Sequence, residues 1–380
     1  MASRRQVIQS GLALSALSLT GLSPLIAKTG KARRPLRILF LGGTGFLGPH
    51  TVQYAVDRGH EVTLFNRGRS NEGLFPQLES LTGNRDPNIG SGLQALQGRK
   101  WDCVIDTSAY VPRIAEASAS LLAEHCEQYL LVSTISVYRD FSQIGMSETA
   151  PVGTLTDKMT ETVDGQTYGP LKAYCEEAVE RIFKNRSTII RPGLIVGPRD
   201  TTDRYTYWPV RVARGGQVLA PGTGQDPVQY VDARDLGQFM VHCLEKKTIG
   251  TFNATSDARN ENMSALLQSC QSGINPDAEF VWADGDFLNK QQVNPWGDMP
   301  VWIPSQGEMK GITQVDVSKA MAAGLSIRDR KATAQDTWNW FQAKRQNNLT
   351  LRAGLAPERE AEVLAAWLAT QTEKSKETTG

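Results

Sequence analysis

The chain has 380 residues, and its 41 basic and 40 acidic side chains leave a formal net charge of +1 with 40% hydrophobic content. That length accommodates one large domain or two smaller ones around a sizeable core, and the charge balance argues against a nucleic-acid or anionic-membrane partner. The five cysteines and four histidines are scattered, without a Cys-x-x-Cys pair, which argues against a disulfide framework, a zinc site or a metal cluster.

Residues 1–30 read as an export signal. Arg4-Arg5 stands in a twin-arginine-like context, Gln6 to Ala27 is uncharged, and Lys28 closes the stretch. Glycines, Pro24 and serines interrupt it, so a permanent membrane span is not expected. The expected location is periplasmic, reached by the twin-arginine route.

Ile38-Leu-Phe-Leu41 is a short apolar run of the kind buried on both faces of a parallel sheet. Gly42, Gly43, Gly45 and Gly48 follow at once, and helical spacing then runs to Gly59. Strand, glycine turn and helix in this order form a dinucleotide-binding fingerprint. The glycines let the backbone approach a pyrophosphate, which sits on the helix N-terminus beside Gly42, Gly45, Phe46, Leu47 and Gly48. Glu61–Asn66 reads as a second strand. Its end carries Asn66 and Arg67, with Arg69 nearby, instead of the acidic residue that grips the ribose of NAD. The cofactor is therefore read as NAD or NADP, the arginines tilting the choice towards NADP.

A third strand is expected to end near Leu81–Asp86, bringing Asn84 towards the adenine. Trp101–Asp106 is a fourth strand, and Thr107, Ser108 and Ala109 leave its C-terminal edge, where open α/β sheets bind ligands. A helix over 114–126 and a strand over 128–133 continue the alternation. The pattern predicts an α/β fold with a doubly wound parallel sheet, a Rossmann arrangement. Residues 140–167 lack periodicity and are expected to form a long loop, a candidate lid, near the active edge.

Two pieces then converge: Ser133-Thr-Ile-Ser-Val-Tyr138 at a strand end, and Tyr168-Gly-Pro-Leu-Lys172 opening a helix. Tyr168 and Lys172, four residues apart, share a helix face. An ammonium beside a phenol lowers its pKa, and such a tyrosine exchanges a proton while a nicotinamide exchanges a hydride. The Thr134 hydroxyl is expected to orient the reacting carbonyl or alcohol.

With the glycine turn, these two pieces and Arg191-Pro-Gly-Leu-Ile-Val-Gly-Pro198, the chain resembles the extended short-chain dehydrogenase/reductases, the NAD-dependent epimerase/dehydratase group acting mostly on nucleotide sugars. The resemblance spans roughly residues 35–244. It implies Tyr168 as acid/base, Lys172 as its activator and a holder of the nicotinamide ribose, Thr134 as the family's Ser/Thr, and Pro192 and Gly193 as backbone near the nicotinamide. The family's dehydratases carry Asp-Glu after the Ser/Thr. Ile135-Ser136 stands there instead, which disfavours that branch.

The C-terminal half is expected to complete the sheet and shape a substrate lobe, giving 31–200 as dinucleotide domain, 201–370 as mixed region and 371–380 as disordered tail. Tyr205, Trp208, Arg211 and Gln229 are candidate substrate contacts. Residues 218–224 read as a turn-rich connection, Asp235 as a residue capping or opening a helix, and Trp282, Phe287, Trp296 and Trp302 as core more than sugar platform. The leading function is an NAD(P)-dependent epimerase or oxidoreductase on a sugar-like alcohol or ketone. A regulatory or structural NAD(P)-binding protein without catalysis is the alternative, and a homodimer is left open.

Overall fold

A computed structural model describes residues 30–69, 71, 73–344 and 350–379, with side chains to residue 373. The expected signal peptide lies, but for Gly30, outside the described residues. Among the described residues no helix is long and apolar enough to cross a membrane.

β1 (Arg37–Leu41) shows why its apolar run is continuous. Ile38 and Phe40 enter one core while Leu39 and Leu41 enter another, so both faces are covered. The chain then alternates through α1 (Leu47–Asp57), β2 (Glu61–Asn66), β3 (Glu79–Thr82), β4 (Cys103–Asp106), α2 (Pro112–Leu122), β5 (Gln128–Val132), α3 (Tyr168–Phe183) and β6 (Ser187–Pro192). Pro112 opens α2 where no amide partner is lost. Beyond β6 come β7 (Leu194–Val196), α4 (Tyr207–Ala213), β8 (Gln217–Pro221), β9 (Tyr230–Asp232), α5 (Ala233–Glu245) and β10 (Gly250–Ala254). The remainder is α6 (Met263–Gly273), β11 (Glu279–Ala283), α7 (Gly285–Lys290), α8 (Ser318–Ala322), α9 (Arg330–Lys344) and α10 (Pro357–Thr379).

Seven strands form one parallel sheet in the order β10-β6-β5-β4-β1-β2-β3. The chain winds outward from β1 to β3 and then returns to place β4 on the other side of β1. This switch point leaves a crevice at the C-terminal ends of β1 and β4. Residues of α1 and α5 pack in one core beside the sheet, those of α2 and α3 in the other. A third core, under Tyr205, Trp208 and Trp302, joins α4, α6, α9 and α10 to the β8–β11 and β7–β9 pairs.

Several expectations are corrected. Residues 218–224 are not all turn: Val218, Leu219 and Ala220 are buried in β8, which pairs with β11. Asp232, not Asp235, caps α5 by accepting from Arg234 N at 2.9 Å; Asp235 lies in the first turn and holds Arg328. The C-terminal segment read as a disordered tail is helical to Thr379 in α10. Residues 140–167 do form a long loop without helix or strand, but its inner half is anchored. Tyr138 bridges Val152, Gly145 N donates to the Gln314 carbonyl at 2.7 Å, and Glu148 Oε1 accepts from Asn253 N at 2.9 Å. The outer part, 156–166, stands largely exposed, as do Gln143, Ile144 and Gly145 nearer the anchored half.

That anchored half rests on a buried ion pair. Arg191 in β6 donates to Glu176 in α3 through Nη2 at 2.7 Å and Nε at 3.0 Å, and its Nη1 reaches Tyr138 Oη and the Glu148 carbonyl. Removing one partner of such a pair strands a buried charge and costs about 3–5 kcal/mol. Glu176→Ala is therefore expected to lower unfolding free energy by about that amount in urea titration. A loss below about 1 kcal/mol, the range of surface pairs, would contradict the account.

Candidate active site

The crevice opens into a cleft of about 780 Å3 lined by the glycine turn, the ends of β2, β4, β5 and β6, the start of α3 and the segment after β7. The turn fits a phosphate-bearing ligand. Gly43 has φ of 92°, and a Cβ at Gly48 would come within 2.5 Å of the Gly43 backbone, so the turn closes only without side chains there. A Cβ at Gly45 would meet nothing within 4 Å, on the side that faces the cleft. No side chain caps α1 at Phe46 and its first turn carries no acid, leaving its amides for an anion.

Most of the residues singled out from sequence line this cleft: Gly42, Gly45, Phe46, Leu47, Gly48, Asn66, Arg67, Asn84, Thr107, Ser108, Thr134, Tyr168, Lys172, Pro192, Gly193 and Gln229. Ala109 does not; it is fully buried and contributes a carbonyl that holds Lys172. Asn66 Oδ1 accepts from Gly68 N at 2.8 Å, which folds the β2 end back and presents Arg67 and Arg69 to the cleft rim. Ser133 Oγ and Arg85 Nε, both on residues of the lining, are buried without a partner, as expected of a wall built to meet a ligand.

Lys172 is buried and its Nζ donates to the carbonyls of Ala109 at 2.6 Å and Val132 at 2.7 Å. An ammonium has three donors, so one remains for the cleft. Burial presses its pKa down. Thr134 Oγ1 accepts from Ser136 N at 3.1 Å, which leaves its proton for the Tyr168 phenol. Burial pushes the Tyr168 phenol above its ordinary value, against the hydrogen bond from Thr134 and the field of Arg204. Lys172 is held by two backbone carbonyls, and the field of Arg204 acts on the Tyr168 phenol in the lowering direction.

Three of the proposed substrate contacts are corrected too. Tyr205 and Trp208 are fully buried, Tyr205 packing on Tyr230 and Trp208 Nε1 donating to the Pro300 carbonyl at 2.7 Å. Arg211 is buried against Glu360 of α10 and the carbonyls of Gly215 and Gln217. Gln229 reaches the cleft wall, but its amide is engaged by Ser256 and Val315. The residues that do face the cleft here are Asp200, Thr202 and Arg204, with Trp296 across from them. Aromatic content pointed to the wrong side chains. Arg85 was also missed. It forms a double hydrogen bond to the fully buried Asp106 at 2.6 and 2.7 Å, and Tyr129 Oη donates to the same carboxylate at 2.7 Å.

With this geometry in place, the comparisons with known proteins decide the family. The model of the NAD dependent epimerase/dehydratase family matches residues 38–254. The chain belongs to that family. It is 23% identical over 255 residues to the epimerase family protein SDR39U1 of Bos taurus, covering 63% of this chain and 81% of that one. It is 25% identical over 265 residues to the chloroplast stem-loop binding protein of 41 kDa b of Arabidopsis thaliana, covering 64% of this chain and 65% of that one. Among solved structures, the UDP-glucuronic acid 4-epimerase of Bacillus cereus in complex with NAD aligns at TM-score 0.59 and 15% identity, over 83% of this chain and 99% of that one. Human SDR39U1 with NADPH aligns at 0.53 and 19%, over 80% and 99%. These structures establish the shared fold of the family.

Beside the cleft, Arg113 at the start of α2 ties two elements together. It donates to Asp86, after β3, at 2.9 and 3.0 Å and to Glu161, in the outer loop, at 2.6 and 2.9 Å. The hydrogen bond from Arg113 holds the Asp86 carboxyl down at about 2. A depressed carboxyl contributes above its unfolded pKa of about 4 and is lost as pH falls towards the folded value. The tie should therefore hold at neutral pH and release between about 4 and about 2. In hydrogen exchange, Arg113→Ala should speed exchange of amides in 156–166 at pH 7. Unchanged exchange in the variant would contradict the tie.

Proposed function

We propose that the protein is an NAD(P)-dependent epimerase or oxidoreductase acting on a sugar-like alcohol or ketone. The observation that carries this reading is the opening of Thr134, Tyr168 and Lys172 onto the same cleft as the glycine turn. Unpartnered Ser133 Oγ, the uncapped α1 amides and the spare Lys172 donor suit a dinucleotide stretched from Gly45 to Gly193. Arg67 and Arg69 at the rim favour NADP, since guanidinium groups pair well with a 2′-phosphate. NADPH in human SDR39U1 and NAD in the Bacillus cereus epimerase show that both choices occur on this fold.

When bound, the nicotinamide supplies hydride acceptance and return. The chain's own residues manage the proton and the pose. Thr134 donates to the Tyr168 oxygen and so favours the phenolate that accepts the substrate hydroxyl proton. Arg204 adds positive potential to the same oxygen. Lys172 fixes the start of α3 against the sheet and offers its remaining N–H to the ribose. An exported protein gains from keeping its cofactor, which favours epimerisation or another internal redox cycle. Cell fractionation bears on that export: a chain found uncleaved and only in cytosol would contradict it.

The test is Tyr168→Phe in protein loaded with NADP or NAD and screened against sugars, uronic acids and nucleotide sugars. Losing a positioned acid/base typically costs about 10²–10⁴-fold in turnover. The variant is expected to show that loss while retaining dinucleotide affinity. Turnover within threefold of the wild type would overturn the catalytic reading.

A further inference from the structure

The segment after β7 places charged groups in the cleft wall without pairing them. Arg204 is half-buried, its Nε donates only to Thr202 Oγ1 at 3.2 Å, and among the described residues no carboxylate lies within ion-pair distance of it. Its guanidinium lies over the Trp296 ring, 5.4 Å from the centroid. Asp200 is buried in the same wall. Its Oδ1 accepts from Thr202 N and Oγ1 at 2.8 and 2.7 Å, while Oδ2 receives no donor.

Backbone strain concentrates here as well. Arg199, Asp203 and Trp296 all adopt left-handed φ, at 76°, 61° and 65°, although none is glycine. Such conformations are unfavourable for residues other than glycine and gather at ligand sites. Left-handed backbone, a half-buried cation that feels the Asp200 charge without touching it, and a carboxylate oxygen with no donor add little to folding. All three become intelligible if a ligand completes the wall. Arg85, Arg191, Arg211, Arg234 and Arg328 each hold a carboxylate, whereas Arg204, on the cleft wall, does not.

We propose that Arg204 is the anion-recognising residue of the substrate subsite, and that the substrate carries a carboxylate or phosphate on the ring that reacts at Tyr168. The inference rests on the proposed function above and names its substrate class. Trp296 backs the guanidinium and holds its plane, so that a fork of two N–H groups is presented to the anion. Arg204 lines the same cleft as Thr134 and Tyr168, so an anion bound to it would share that cleft with the reacting ring. Docking the anion also neutralises the cation that assists Tyr168, coupling substrate charge to proton transfer. Neutral sugars would leave Arg204 desolvated and unpaired, which selects against them.

The test measures calorimetric binding of glucuronate, glucose 6-phosphate and glucose to the dinucleotide-loaded full chain. One or both anions should bind about 10- to 100-fold more tightly than glucose, as a charge-assisted hydrogen-bond pair provides. Preference for glucuronate identifies a carboxylate source, and preference for glucose 6-phosphate a phosphate. Arg204→Met should erase the difference and Arg204→Lys should retain part of it, with dinucleotide affinity unchanged in both. Anion affinity no greater than that of glucose, including no binding of any of the three, overturns the proposal. So does discrimination that survives Arg204→Met. If dinucleotide binding and the Tyr168→Phe loss persist in that case, the proposed function stands and only the substrate class falls. If the wild type holds no dinucleotide, the parent reading has failed first.

Discussion

The structure depends most on the buried ammonium of Lys172. Two backbone carbonyls, Ala109 beyond β4 and Val132 at the end of β5, converge on it and replace its hydration. Those contacts tie the first turn of α3 to the C-terminal edge of the sheet, so Tyr168, one turn earlier, is positioned by the sheet and not by its own loop. Gly169 completes the arrangement. A Cβ there would collide with the Ser136 carbonyl, so only glycine lets α3 lie on the turn that carries Thr134. A charge is costly to bury unless every donor is used. Two are met by the protein, and the third is a standing reason for a ligand to enter.

The cofactor half and the substrate half are held by different physics. Around the glycine turn the chain offers backbone amides and absent side chains, a surface that accepts an anion with little rearrangement. Around Arg204 it offers a half-buried cation without a carboxylate in ion-pair contact among the described residues, a carboxylate oxygen with no donor and left-handed backbone. The outer loop is tied across α2 through Arg113 while its inner part is locked to β6 and β10. The five cysteines are all buried thiols with pKa pushed up to about 12, so none offers a reactive thiolate at neutral pH.

Much of this was legible in the sequence because it was local. The apolar run of 38–41 followed by four glycines fixes strand, turn and helix within a dozen residues, and the Tyr168–Lys172 spacing fixes a shared helix face. β10 was missed because Gly250-Thr-Phe-Asn-Ala254 has little apolar content; its burial comes from β6 and α5. β8 was misread because Pro221 and Gly222 sit directly behind its buried core. The substrate contacts failed for a tertiary reason. Residues 207–212 of α4 are buried all round, so its aromatics and Arg211 face the third core and α10. Arg204, just before the helix, is the one that faces the cleft. Nothing local distinguishes it from Arg211; only the position of Glu360, far along the chain, does.

The central claim is that a nicotinamide dinucleotide lies along the sheet edge with its ring facing Tyr168. Native mass spectrometry of the purified chain, as isolated and after addition of NADP or NAD, tests it most directly. The account predicts saturation at one dinucleotide per chain, bound tightly enough to survive transfer and lost in Gly48→Val. A chain that stays free of nucleotide at saturating cofactor, or a variant that binds as the wild type does, would contradict it.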